Sequence, residues 1–276
     1  MIQLIAIDMD GTLLDSQKNL PQENVAAIQE AVAAGIKIVI CTGRSQAGVK
    51  PYFDQLGLTD KEFVILNNGC SLHETLTWTT LYDRALTSQE LLELQAYVAT
   101  NPEVDLVLAT NQDHYFVGEK PSELAQADAD MVFTKLIAIT PDEIEAIDEP
   151  VYNAMYIGIP EAIDAFQEQY ASEITSDYSG VRSQAFLYEV LPKGCHKAAG
   201  LKALAAMLDI DASQIMAIGD ANNDLEMMAF SGLAVAMGNA SETVKSYADR
   251  LSLTNDQAGV AYAIRNGVLK QSLPNK

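Results

Sequence analysis

The chain has 276 residues, more than one typical domain of about 100–200 residues holds, so two compact units or one core with a large insertion is expected. Apolar, aromatic and sulfur-bearing residues make up 49% of it and charged residues 20%, the balance of an ordinary folded protein and not of a disordered polyelectrolyte. A formal charge of −21 argues against nucleic-acid backbones and anionic membrane surfaces as partners, and any anionic ligand must then be held by positive charge concentrated locally.

Residues 4–7 are a continuous apolar run halted by Asp8, the pattern of a strand buried on both faces in a parallel sheet. Pro21 at a first helical position, then Val25, Ile28, Ala31 and Val32 at helical spacing and Gly35 as a stop, predict a helix. Residues 36–40 predict a second buried strand. A polar helix after Thr42-Gly43-Arg44, a strand over 63–66 and the loop Asn67-Asn68-Gly69 continue the rhythm. Strand and helix in alternation imply right-handed parallel crossovers. From about 85 to 189 the rhythm changes. Strand-like pieces at 104–109, 115–117, 135–139 and 152–159, separated by helical stretches such as 88–98 and 161–170, predict an α+β insertion. The first rhythm returns with a helix at 196–208, a strand at 215–218, a helix at 224–230 and a strand at 233–236, and residues 272–276 are expected to fray. The expected fold is α/β: a doubly wound, mainly parallel, Rossmann-like sheet built from 1–84 and 190–276, with an α+β cap inserted at 85–189.

Cys41, Cys70 and Cys195 lack the close spacings that hold zinc or form a redox dithiol, and are expected as structural thiols of a reducing compartment. No basic leader precedes Asp8 and Asp10, and no apolar run approaches the roughly 18 residues of a membrane helix, so a cytoplasmic location is expected.

Ligands of an open parallel sheet bind beyond the carboxyl ends of its strands, so polar residues that follow buried strands are the functional candidates. They are Asp8-Met9-Asp10-Gly11-Thr12, Thr42-Gly43-Arg44, Asn67-Asn68-Gly69, and Gly219-Asp220 through Asp224. Two carboxylates flanking one residue repel unless a cation or proton is shared between them, and hard oxygen ligands favour Mg²⁺; the same pair also suits a helix cap or Asx-turn. Thr42 and Gly43 ahead of a helix suit a phosphate oxygen or an ordinary cap. Lys197 opens a helix, where the dipole disfavours a cation, and so needs an anionic partner.

Together, Asp-x-Asp-Gly-Thr after a first strand, Thr-Gly-Arg after a second, a later Lys, and Gly-Asp-x-x-Asn-Asp after a strand resemble the four motifs of the haloacid dehalogenase superfamily in order and placement. The likeness covers essentially the whole chain, since the middle third is similar to the large α+β (C2-type) cap of the Cof-type, YidA-like sugar phosphatases. The resemblance implies an Mg²⁺-dependent phosphatase that hydrolyses a small phosphorylated metabolite, such as a sugar phosphate, through an aspartyl-phosphate. On that reading Asp8 is the nucleophile, and Asp10 is the general acid and base, with its backbone carbonyl on the metal. Thr42, the amides of Met9 and Gly43, Lys197 and Asn223 surround the phosphoryl oxygens. Asp220 joins Asp8 and Asp10 as a metal ligand, and Asp224 steers it from behind. Arg44 either touches the substrate or pairs with a carboxylate. The alternatives are a phosphomutase or phosphotransferase with the same intermediate, or a slow phosphoacceptor module used for sensing. A monomer or homodimer is expected. Cys195-His196 invites a nucleophile reading, but no third orienting group accompanies it; His73 and His114 fit no known constellation.

Overall fold

A computed structural model of the chain describes residues 1–269, so the fraying expected at 272–276 lies outside the described residues. Its strands and helices run in chain order β1 (Leu4–Asp8), α1 (Gln22–Ala33), β2 (Lys37–Cys41), α2 (Gln46–Phe53), β3 (Phe63–Leu66), β4 (Ser71–Glu74), β5 (Thr80–Asp83), α3 (Ser88–Ala96), β6 (Asp105–Ala109), β7 (His114–Val117), α4 (Glu123–Met131), β8 (Leu136–Ile139), β9 (Asn153–Ile157) and α5 (Pro160–Asp177). There follow β10 (Tyr178–Gln184), β11 (Leu187–Pro192), α6 (Lys197–Leu208), β12 (Ile215–Gly219), α7 (Leu225–Phe230), β13 (Leu233–Ala236), α8 (Glu242–Tyr247), β14 (Arg250–Leu251) and α9 (Gly259–Gly267). The chain divides into two units, one of Met1–Gly43, Pro51–Tyr82 and the residues from His196 onward, the other of Arg44–Lys50 and Asp83–Cys195.

The first unit is built on an eight-stranded sheet of order β14-β13-β12-β1-β2-β3-β4-β5. β1 lies parallel between β12 and β2, with Ile7 opposite both Ile218 and Ile40. Parallel pairing extends from β14 to β3, and β4 then returns antiparallel. The unbroken apolar runs follow from burial of both faces. Leu4, Ala6, Val39 and Ile65 pack with Leu201, Leu204 and Ala205 of α6, so the alternating Ile5, Ile7, Ile38 and Ile40 point to the opposite face. Burying each such side chain contributes about 1.5–3 kcal/mol. Because β1, β2 and β12 are parallel and in register, their last residues emerge at one edge: Asp8 opposite Cys41, with Gly219 one step beyond Ile218.

The second unit carries a six-stranded sheet of order β10-β11-β9-β6-β7-β8, antiparallel except for β7 with β8. One face puts Leu106, Leu108, Ala154, Tyr156, Tyr188 and Val190 against Leu91 and Leu94 of α3 and Ile163 and Phe166 of α5. The other puts Val107, Ala109, Phe116, Met155 and Leu187 against Ala125 of α4. Among the described residues no helix is long and apolar enough to cross a membrane. All three cysteines are buried thiols, none in a disulfide.

Asn24, fully buried in α1, joins three segments of the first unit. Its Nδ2 donates to the Leu13 carbonyl at 3.0 Å and its Oδ1 accepts the Ala261 amide at 2.9 Å. Ala261 lies in the first turn of α9, where an amide has no carbonyl partner in its own helix. Asn24→Ala leaves that donor and that acceptor buried and unpaired, so urea unfolding is expected to show a loss of about 1–3 kcal/mol. An unchanged midpoint would contradict this role.

Candidate active site

Asp8 is the last residue of β1 and is buried, as the strand on either side of it requires. Its Oδ1 accepts a hydrogen bond from Lys197 Nζ at 2.5 Å. Lys197, 2% exposed, is the first residue of α6 and donates also to Asp224 Oδ1 at 2.7 Å. Asp224 Oδ2 accepts the amides of Asp220 and Ala221, each at 3.0 Å, so both of its oxygens are engaged. Asp8 Oδ2, by contrast, is buried without a hydrogen-bond partner among the described residues. Asp220 stands beside it and accepts Thr12 Oγ1 at 2.8 Å. The chain leaves β1 through Gly11 at φ +84°, and a Cβ there would run into the Asp220 carboxylate. Glycine is needed at this turn on both counts.

Burial pushes the Asp8 carboxyl well above the usual range, and the charges of Asp224 and Asp220 push the same way against the pull of Lys197. Burial, with help from Asp224, also raises Asp220, although Thr12 and Lys197 oppose it. Desolvation works to lower Lys197, but Asp224 and Asp8 outweigh it and hold the ammonium charged. Three carboxylates thus face one ammonium. A shared proton or a further cation is needed to balance them. Asp8, Asp220 and Asp224 can each present an oxygen within 4.8 Å of the others. With Asp224 already engaged, the open oxygens belong to Asp8 and Asp220. A hard-oxygen donor set, excess negative charge and an orphaned buried carboxylate oxygen fit a divalent cation.

Asp10 sits apart from this group. Its carboxylate pairs with Lys18 at 2.7 Å, both side chains being more than a third exposed, and an ion pair so open to water holds only weakly. The Met9 side chain is fully buried in the core. Thr42, buried at the end of β2, donates its amide to the Ile65 carbonyl and accepts the Asn68 amide at 2.9 Å. Asn67, Asn68 and Gly69 all take positive φ, at +51°, +52° and +95°. A Cβ on Gly69 would strike the His196 carbonyl, so this turn rests on the residue that leads into Lys197. Asn223 Nδ2 donates to Asn68 Oδ1 at 3.2 Å, and Gly43 lies against the same Asn68 side chain. The structure therefore gathers Asp8, Lys197, Asp220 and Asp224 into one network, and Thr42, Gly43 and Asn223 around Asn68. Arg44 belongs to the second unit, where it is buried and donates to the Gly48 carbonyl. His73 is tied to Ser71 and Thr80 of the edge strands, and His114 to Thr134.

Thr12 and Asn68 were not assigned roles from sequence. Thr12 stands four residues past Asp8 in the same motif, and the run of two Asn and a Gly at a strand end is the signature of left-handed backbone that could have singled out Asn68.

A family model described as haloacid dehalogenase-like hydrolase matches residues 5–264. The chain is 33% identical to YxeH of Bacillus subtilis (strain 168), over 98% of this chain and 99% of that protein. It is 31% identical to the 5-amino-6-(5-phospho-D-ribitylamino)uracil phosphatase YcsE of the same organism, over 97% of this chain and 96% of the other. A solved haloacid dehalogenase-like hydrolase from Bacteroides thetaiotaomicron superposes with a TM-score of 0.88 at 27% identity, covering 96% of this chain and 99% of its own.

Removing the ammonium alone leaves Asp8 and Asp224 as uncompensated buried charges. Lys197→Met is therefore expected to cost about 3–5 kcal/mol in urea unfolding. Adding Asp8→Asn should return part of that loss, because one of the two charges is gone. Strictly additive losses in the double variant would show that the two residues are not coupled.

Proposed function

Because the chain belongs to the haloacid dehalogenase-like hydrolase family and is a phosphatase, we propose that it hydrolyses small phosphorylated metabolites, sugar phosphates among them, by transfer of the phosphoryl group to Asp8. The observation that carries this reading is the asymmetry of the Asp8 carboxylate: Oδ1 is held by Lys197 and Oδ2 is buried with no partner. A buried carboxylate fixed in place by one hydrogen bond is positioned as a nucleophile and keeps lone pairs for a cation.

In the first step the Asp8 carboxylate attacks phosphorus, a new phosphorus–oxygen bond forms, and the bond to the leaving alkoxide breaks. Asp10 gives that alkoxide a proton. To do so it must first leave Lys18 and become protonated, which the exposure of the pair permits. In the second step water attacks the same phosphorus, Asp10 takes the water's proton, and the bond to Asp8 breaks to release phosphate. Lys197 offsets the charge of Asp8 against the incoming phosphate, while the Thr42 hydroxyl, the amides of Met9 and Gly43, and Asn223 donate to the phosphoryl oxygens. Asp8, Asp220 and the Asp10 carbonyl would hold Mg²⁺, which when bound supplies the positive charge that draws a phosphate to so acidic a protein. Asp224 fixes Lys197 and the Asp220 loop from behind. The second unit serves as the cap that selects the leaving group. YcsE, named for a phosphorylated ribityl compound, is a relative of matching length and supports the substrate class. Three buried thiols outside any disulfide suit a reducing compartment, and we place the enzyme in the cytoplasm.

Phosphate release from p-nitrophenyl phosphate should stop with a chelator and return with added Mg²⁺. Asp8→Asn is expected to show no release above background, and Asp10→Asn a fall of about 10²–10⁴-fold. Wild-type rates in Asp8→Asn would overturn the reading.

A further inference from the structure

The second unit holds a buried polar cluster that the phosphoryl chemistry above does not use. By register, His114 of β7, Ala109 of β6 and Asn153 of β9 lie side by side on one face of the sheet. Glu189 of β11 lies on the same face, opposite Met155 and diagonal to Asn153. Asn153 Nδ2 donates to Glu189 Oε1 at 2.6 Å. α4 packs on this face through Ala125, and one turn further on it carries Asp128. The segment Arg44–Lys50 closes the same end: Ala47 donates its amide to the Asn111 carbonyl, and Gly48 lies against the Val132 carbonyl just past α4. Arg44, Ser45, His114, Asp128, Asn153 and Glu189 are all buried.

Two polar atoms in this group have no hydrogen-bond partner among the described residues, Asn153 Oδ1 and Ser45 Oγ. Folded proteins rarely leave such atoms unsatisfied unless something else is to meet them. The Asn153 amide cannot simply be turned over, because its Oδ1 would then face the Glu189 carboxylate. Between His114 and Asn153 the row carries only the methyl group of Ala109, so no side chain on that strand reaches either polar group. Burial and the neighbouring Glu189 push the Asp128 carboxyl up to about 6, against the pull of Arg44, which places these three charges close together. Burial also lowers His114 to about 4, so that it is neutral at physiological pH.

Resting on the phosphatase reading, we propose that Arg44, Ser45, Asp128, Asn153 and Glu189 form the subsite for the alcohol portion of the substrate, and that this alcohol is an uncharged polyol. Adjacent hydroxyl groups donate to the two carboxylates and to Asn153 Oδ1, and accept from Arg44 and Ser45. A carboxylate on the substrate is repelled by Asp128 and Glu189, and an alkyl chain leaves Asn153 Oδ1 and Ser45 Oγ unsatisfied. Arg44 follows directly on Thr42-Gly43 in the chain, so the residue that reads the alcohol is tied covalently to the turn proposed to hold the phosphate.

The test uses the full-length enzyme with Mg²⁺ and four monoesters: a hexitol phosphate, hexyl phosphate, a hexonate phosphate and p-nitrophenyl phosphate. The hexitol ester should exceed the hexyl ester in kcat/KM by at least about 100-fold and the hexonate ester by at least about 10-fold. Asn153→Ala, and separately the milder Ser45→Ala, should lower the ratio of hexitol to p-nitrophenyl kcat/KM by at least about 10-fold, chiefly through KM. A purely structural ion cluster would lower both rates together and leave the ratio unmoved, and that result, or equal use of hexyl and hexitol esters, overturns the proposal. If p-nitrophenyl phosphate is hydrolysed without any preference for hydroxyl groups, this inference alone fails; if none of the four is hydrolysed, the phosphatase reading fails with it.

Discussion

A single ammonium buried between two carboxylates sets the geometry of the first unit's strand ends. Lys197 occupies the first position of α6, where the helix dipole opposes a cation, and it is taken almost wholly out of water. That placement is tolerable only because Asp8 and Asp224 arrive from the ends of β1 and the β12 loop to meet it. The parallel register of β1 with β12 brings them together, and the Asn67-Asn68-Gly69 turn seats the start of α6. Packing of α6 against the sheet then decides which oxygen of Asp8 is held and which is left open. The proposed chemistry follows from that choice.

The acidity of the chain and its proposed affinity for phosphate are compatible because the positive charge is local. Across 276 residues the excess is strongly negative, yet the one buried lysine of the first unit's network sits within hydrogen-bonding distance of Asp8. Burial, reinforced by repulsion among Asp8, Asp220 and Asp224, raises the carboxyls of Asp8 and Asp220, and this cluster of hard oxygen donors fits a divalent cation. In the second unit the polar residues serve a different end: one face of the sheet is apolar under α3 and α5, while the other mixes an apolar patch with charged and amide groups.

Much of the first unit was legible because its strands are buried on both faces. The apolar runs ending at Asp8, Cys41, Leu66 and Gly219 fall within a residue of the predicted strand ends. The edge strands β4 and β5 carry mixed residues such as Ser71, His73, Glu74 and Thr80, so neither period nor hydrophobicity marks them. α4, with Asp128 and Asp130 among its alanines, was missed for a similar reason. In the site, Asp8, Thr42, Lys197 and Asp220 stood out because each follows a strand or opens a helix. The residues grouped with Arg44 in the proposed subsite could not be read: Asp128, Asn153 and Glu189 lie 84 to 145 positions away, and no local pattern encodes such a distance. Nor did sequence show that Lys18 pairs with Asp10, since that contact depends on the left-handed backbone of Lys18 in its turn.

The proposed chemistry requires that Asp8 carry the phosphoryl group during turnover. Acid-quenching the enzyme within milliseconds of mixing with Mg²⁺ and a good substrate, followed by digestion and mass spectrometry, reads this directly. The expected result is one added phosphoryl group on the peptide containing Asp8, absent without Mg²⁺ and absent in Asp8→Asn. Full phosphate release with Asp8 unmodified at every quench time, and an active Asp8→Asn variant, would contradict it.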